Sequence, residues 1–126
     1  MRVLVIDDDE ALRRVVRRML EPDGHDVVEA EDGRAGLARF TRGDFDAVIT
    51  DILMPEQEGV QTIMQIRASN AQVRIIAVSG GGSLKIMDFL EMARLLGADA
   101  TLPKPFRKEE LIACLTGASR GRTDVD

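Results

Sequence analysis

Short apolar runs in this chain repeatedly end in residues able to do chemistry. Val3–Ile6 runs into Asp7-Asp8-Asp9, Phe45–Thr50 into Asp51, and Val73 onward into Ser79 and a glycine run; Asp99–Leu102 leads to Lys104. Three carboxylates brought together, from Asp7, Asp8 and Asp51, repel one another, so a pocket that holds them needs compensating positive charge. A Mg²⁺ ion with oxygen ligands and retained waters supplies it, with Lys104 as a fixed cation beside it. An acid-rich metal site with a lysine and a hydroxyl suits phosphoryl transfer. The cations neutralise the charge that develops on the phosphoryl oxygens while a carboxylate attacks phosphorus.

Such a site needs a frame that delivers every one of these residues to one place. The spacing alternates apolar runs with amphipathic stretches throughout the chain. Helices are predicted over Ala11–Leu20 (Leu12, Val15, Val16, Met19, Leu20), around Arg34–Thr41, over Gly59–Ala68, over Leu84–Leu96 and over Arg107–Leu115. Strands are predicted at Val3–Ile6, His25–Ala30, Phe45–Thr50, Val73–Ser79 and Asp99–Leu102. The alternation points to an α/β domain with a parallel sheet covered by helices on both faces. Strands 1, 3 and 4 are apolar throughout and belong in the centre. Strand 2 is polar and the end of strand 5 carries Pro103, which cannot donate to a ladder, so both read as edges. In an open α/β sheet ligands bind beyond the carboxyl ends of the strands, where the acids, the serine and the lysine collect.

Composition narrows the classes. The chain has 126 residues, 44% hydrophobic and 31% charged, so it can bury one modest core and is too apolar to be disordered. A net charge of -5 disfavours indiscriminate binding to nucleic acid. The single cysteine, Cys114, excludes an internal disulfide and a multi-cysteine metal site, and reads as a packing residue. No apolar run approaches the ~18–20 residues that span a bilayer, and the N-terminus enters a strand at once, leaving no room for a signal peptide. The expectation is a cytoplasmic single domain, with residues 117–126 a short, polar, disordered tail.

These motifs, Asp7-Asp8, Asp51-Ile-Leu-Met-Pro-Glu-Gln-Glu-Gly59, Ser79-Gly80 and Lys104-Pro105-Phe106, taken in this order, resemble the receiver domain of two-component response regulators over residues 1–116. The resemblance implies a doubly wound, five-stranded parallel sheet of flavodoxin-like order 2-1-3-4-5. It implies that Asp51 is the phosphoacceptor, that Asp8, Asp51 and the Leu53 carbonyl hold Mg²⁺ with Asp7 assisting through water, and that Ser79 and Lys104 contact the phosphoryl group. It also implies a cis bond between Lys104 and Pro105. The function implied is a stand-alone signalling phosphoacceptor, not an enzyme. It would be loaded by a histidine kinase or phosphotransfer protein and would act on a downstream protein or a second copy. Two departures stand out. Thr101 occupies the position where many receivers have a switching aromatic, and the stretch between Ser79 and Lys104 is longer than usual for the family.

Two other readings compete. A phosphohydrolase of the haloacid dehalogenase type also follows strand 1 with Asp-x-Asp, which Asp7 and Asp9 satisfy, but Glu10 is out of place there and the cap insertion and late paired acids are missing. A pseudo-receiver that binds partners without phosphorylation would not need an intact pocket. Asp9 reads either as part of the acid cluster or as a helix cap, and His25 as surface. Arg13, Arg14, Arg17 and Arg18 line the polar side of the first helix, as a solvated face or as part of a kinase-docking surface. On the Leu84–Leu96 helix, Ile86, Phe89, Leu90, Ala93 and Leu96 share a core arc, while Leu84, Met87, Met92 and Leu95 fall among charges and suggest a partner or homodimer surface.

Overall fold

The computed structural model describes residues 1–52, 58–80, 91 and 93–117. Five strands form one parallel sheet: β1 (Arg2–Ile6), β2 (Asp26–Ala30), β3 (Ala47–Asp51), β4 (Arg74–Ser79) and β5 (Ala100–Pro103), in the order β2-β1-β3-β4-β5. The helices are α1 (Glu10–Leu20), α2 (Gly33–Arg42), α3 (Glu58–Ser69) and α4 (Lys108–Thr116), with a 3₁₀ turn at Glu21–Asp23. Residues 91 and 93–95 are also helical. Apart from the Leu84–Leu96 helix, the predicted elements are thus present with ends displaced by a residue or two, and β2 and β5 are the edges. Leu53, the tail beyond residue 117 and most of the Leu84–Leu96 stretch lie outside the described residues.

Strand alternation sorts the core into two layers. Leu4, Ile6, Val48, Ile75 and Ala77 face α2 and α3, meeting Phe40, Ile63 and Ile66. Val3, Val5, Ala47, Ile49, Ile76 and Val78 face the other way, onto Val16 and Leu20 of α1 and Leu111 and Leu115 of α4. Because both faces are covered, the central strands read as unbroken apolar runs. Each fully buried Leu or Ile contributes about 1.5–3 kcal/mol. Cys114 is buried in the α4 layer, as expected for a packing residue.

Helix starts are set by local chemistry. Asp9 accepts from the Ala11 and Leu12 amides at 2.9 and 3.4 Å, and Asp32 accepts from the Ala35 amide at 2.8 Å, each satisfying amides that the first helical turn leaves unpaired. Glu110 accepts the Arg107 amide at 2.8 Å at the start of α4. β3 begins two residues later than its apolar run. Phe45 packs instead on Phe40, centroids 6.2 Å apart, under the Arg2 guanidinium, while Asp46 takes the Arg2 amide at 2.7 Å.

At the amino ends of the strands, Arg67 at the foot of α3 gathers several carbonyls. It donates to Val73 O (2.8 Å), Ala71 O (3.0 Å) and Gly97 O (2.9 Å), and pairs with Asp99 at 2.6 Å. Asp99 in turn accepts the Ile75 amide at 2.8 Å and gives its own amide to Ile75 O at 2.7 Å.

At the carboxyl ends, α3 starts against the backbone of β3. A Cβ on Gly59 would lie 2.2 Å from Asp51 O and 2.5 Å from the Ile52 Cα, where no side chain can give way. Among the described residues, a Cβ on Gly80 would meet only the Lys104 side chain, at 3.4 Å. Gly59→Ala is therefore expected to cost about 3 kcal/mol, the upper end for overpacking, and Gly80→Ala to cost under about 1 kcal/mol in comparison. Urea unfolding followed by circular dichroism tests the contrast.

Candidate functional site

β1 and β3 are neighbours, so their carboxyl ends set Asp7 and Asp8 beside Asp51. One carboxylate oxygen from each lies within 4.8 Å of those from the other two, and Asp7 and Asp51 are buried while Asp8 is exposed. β4 ends at Ser79 next to Pro103 of β5, and the Lys104 amide donates to Ser79 O at 2.8 Å. The Lys104–Pro105 bond is cis. The Lys104 side chain reaches back across the sheet end, its Nζ 3.0 Å from Asp7 Oδ2 and 3.1 Å from Asp51 Oδ2. Asp7, Asp8, Asp51, Ser79 and Lys104 thus meet at one end of the sheet.

Asp7 is fixed from several sides. Its amide donates to Ala30 O at 3.1 Å, its Oδ1 accepts from the Asp9 amide at 2.9 Å, and its Oδ2 takes Lys104. Burial pushes its pKa above the ordinary aspartate value. The Asp9 amide and Lys104 pull it back only in part, and the charge of Asp51 adds to the rise. Burial alone would lower the Lys104 pKa. The hydrogen bond to Asp7 and the charges of Asp51 and Asp7 outweigh it and hold the ammonium above the ordinary lysine value. The buried Ser79 Oγ has no hydrogen-bond partner among the described residues. A buried hydroxyl left unpaired costs stability, so it marks a place where a ligand acceptor is expected.

Asp9 resolves to the helix cap of α1 and not to the acid cluster. It is the second acid the phosphohydrolase reading would need. His25 stays near the surface, its Nδ1 3.1 Å from the Met1 amine. Two of the four α1 arginines are not merely solvated. Arg13 pairs with Glu29 at 2.9 Å and Arg17 pairs with it at 2.8 Å, while Arg13 Nη1 also donates to Asp7 O at 2.6 Å. Sequence reasoning missed Glu29 as their anchor. The signal was present: Glu29 follows Val27 by two and so faces α1, where residues 13 and 17 share one stripe.

The family model for the response regulator receiver domain matches residues 3–116. The chain belongs to that family. This receiver is 36% identical over 127 residues to response regulator MprA of Mycolicibacterium vanbaalenii, covering 100% of this chain and 53% of the relative. It is 33% identical to the transcriptional regulatory protein TrcR of Mycobacterium tuberculosis, covering 100% and 48%. The receiver therefore spans about half the length of these curated relatives. Among solved structures it is similar to a response regulator receiver domain protein from Clostridium thermocellum, with TM-score 0.83, 30% identity and coverage of 93% and 92%. It is likewise similar to TrrA of Thermotoga maritima, solved in complex with Mg(2+)-BeF, with TM-score 0.79, 29% identity and coverage of 92% and 96%. Receiver domains are signalling phosphoacceptors, and no helix among the described residues is long and apolar enough to cross a membrane.

In this receiver the ammonium of Lys104 is the local counter-charge to two buried acids. Its contribution to stability is present below the ordinary lysine pKa and is lost as pH rises through the raised folded value. Asp7 moves stability in the same direction at lower pH: with its folded pKa raised, stability falls as pH rises from the ordinary aspartate value through the raised one. Removing the cation while leaving both acids is expected to cost about 3 kcal/mol in Lys104→Met at pH 7 without metal. Adding Asp7→Asn to that variant should recover part of the loss, as measured by thermal unfolding in EDTA.

Proposed function

We propose that Asp51 is the phosphoacceptor of this receiver and that Mg²⁺ is held by Asp8 and Asp51, with Asp7 assisting through water. The convergence of Asp7, Asp8 and Asp51 with Lys104 and a buried Ser79 hydroxyl unpaired among the described residues carries the reading. The donor set fits the metal. It offers hard carboxylate oxygens close together, on a side left open by the exposure of Asp8, and Mg²⁺ binds through one or two carboxylates while keeping waters. The Leu53 carbonyl is proposed to complete the ligands from beyond the described residues. When bound, Mg²⁺ neutralises charge on the phosphoryl oxygens.

The chain's own residues then divide the work. The Asp51 carboxylate attacks phosphorus, a P–O bond to Asp51 forms as the P–N bond of a phosphohistidine breaks, and the departing imidazole takes a proton. Lys104, already 3.1 Å from Asp51, pairs with a phosphoryl oxygen, which gives the ammonium a new acceptor. Ser79 Oγ donates to another and gains a partner that no described residue offers it. The upstream partner is a histidine kinase or phosphotransfer protein, and the place of action is the cytoplasm. The output is a contact with a protein target or a second copy through the Leu84–Leu96 segment, of which Leu95 is 76% exposed and Ala93 is buried. With Thr101 at the aromatic position and no Tyr or Trp in the chain, that switch runs without the usual aromatic swing. Action as a single-domain regulator made of residues 1–116 and a short tail belongs to the proposal, and the mass of the native protein tests it.

Incubation with acetyl phosphate and Mg²⁺ should add one phosphoryl group, seen by intact mass, and Asp51→Asn should abolish it. Ser79→Ala should slow phosphorylation about tenfold, the worth of a hydrogen bond to a charged group. Asp8→Ala should weaken Mg²⁺ binding more than Ser79→Ala does, as measured calorimetrically. Wild-type labelling in Asp51→Asn would move the acceptor elsewhere.

A further inference from the structure

Asp8 is the exposed member of the acid cluster, and no hydrogen bond to another described residue holds its side chain. Its direction therefore depends on the main chain that carries it, and first of all on the peptide between Asp7 and Asp8. The amide of Asp7 is tied to Ala30 O on β2. Its carbonyl, which sets the plane of the next peptide, is tied to a side chain: Arg13 Nη1, at 2.6 Å. The other end of the same guanidinium is anchored, with Nε on Glu29 Oε1 at 2.9 Å. Glu29 does not swing freely, because its second oxygen accepts Arg17 Nε at 2.8 Å and Arg17 also contacts Glu21. The Arg13 side chain is only 14% exposed. Burial works against the Glu29 carboxylate, but the hydrogen bonds from Arg17 and Arg13 outweigh it and hold its pKa below the ordinary value.

We propose that Arg13, anchored by Glu29, is a positioning residue for the metal site: by holding the Asp7 carbonyl it aims the Asp8 carboxylate and so sets Mg²⁺ affinity. The inference rests on the Mg²⁺ reading of the acid cluster given above. Arginine suits the task because its planar fork presents donors at both ends, one to the carboxylate and one to the carbonyl. A lysine ammonium is a single point of attachment and cannot span both. Groups that orient metal ligands from behind typically matter 10–100-fold in affinity. Arg13 acts through the main chain, so the lower end of that range is expected.

The sign of the effect separates positioning from charge. Arg13 is a cation on the helix that follows the acid cluster, so by electrostatics alone its removal would relieve repulsion and tighten Mg²⁺ binding. Positioning requires the reverse. Calorimetric titration with Mg²⁺ alone is expected to show Arg13→Ala weakened about tenfold. Arg13→Lys, which keeps the charge and loses the fork, should fall between Arg13→Ala and wild type. With acetyl phosphate, the half-saturating Mg²⁺ concentration should rise by a similar factor, while the rate at saturating Mg²⁺ changes less. Thermal unfolding in EDTA establishes that each variant is folded. Mg²⁺ affinity in Arg13→Ala equal to or tighter than wild type overturns the proposal. If Arg13→Ala does not fold, Arg13→Lys decides, and unchanged affinity there overturns it equally. Failure of wild type to bind Mg²⁺ sinks the underlying reading together with this one, whereas normal wild-type binding with unaffected Arg13 variants sinks this one alone.

Discussion

One ammonium, that of Lys104, stands between two buried carboxylates, and the arrangement of the domain follows from what that contact requires. Asp7 is 1% exposed and Asp51 5%. Like charges at that depth are tolerated only with a cation between them. The cation has to come from a different strand end, because the two acids already occupy the ends of β1 and β3. The order β2-β1-β3-β4-β5 meets the need: it makes β1 and β3 adjacent, and it puts β5 beyond β4 on the same side. Lys104 then crosses above Ser79, whose carbonyl holds the Lys104 amide. The acids, the hydroxyl and the lysine are therefore consequences of one another's placement.

Under the proposed chemistry, the contact is also what would make the site responsive. A cation satisfied by two carboxylates at 3.0 and 3.1 Å has no reason to move until a stronger anion arrives. A phosphoryl group on Asp51 is such an anion, with more charge and more acceptor oxygens than the carboxylate it modifies. Under the proposed chemistry, Lys104 would exchange partners at the moment Ser79 gains one. Both residues sit at the β4–β5 end of the sheet, so the change would be felt there first and not around α2.

Much of this is legible in the amino-acid sequence. A continuous apolar run that stops at an acid is a buried parallel strand delivering that acid to the strand's carboxyl end, and this reasoning places Asp7, Asp51 and Ser79 from sequence alone. Lys104 is different: by itself a lysine after a short strand means nothing, and it becomes readable only with Pro105 and the acids. Phe45 shows where pattern reading overshoots, because an apolar residue adjoining a strand run can serve a stack outside the sheet. Asp9 was ambiguous because caps and ligands favour the same residue type, and only its bonds to the Ala11 and Leu12 amides decide. Glu29 was missed because its meaning lies in the pairing of β2 with β1, Glu29 opposite Val5, which brings an edge-strand acid beneath two arginines of a helix. Local spacing gives the face on which Glu29 lies and the stripe that residues 13 and 17 share, but not that the two meet.

The Arg67 cluster at the opposite end of the sheet gives the domain a mechanical polarity. Its guanidinium joins the foot of α3, the turn before β4 and the turn before β5, and Asp99 closes the ring onto Ile75. Tilting α3 against β4 and β5 from that end would break several charge-assisted bonds together, each stronger than a neutral one. The base of the sheet is thus a clamped root, and strain introduced at the acidic end would not be relieved by sliding α3 past β4 and β5 there. Whatever gives way has to do so nearer the pocket, where Lys104 and not Arg67 ties the strand ends together.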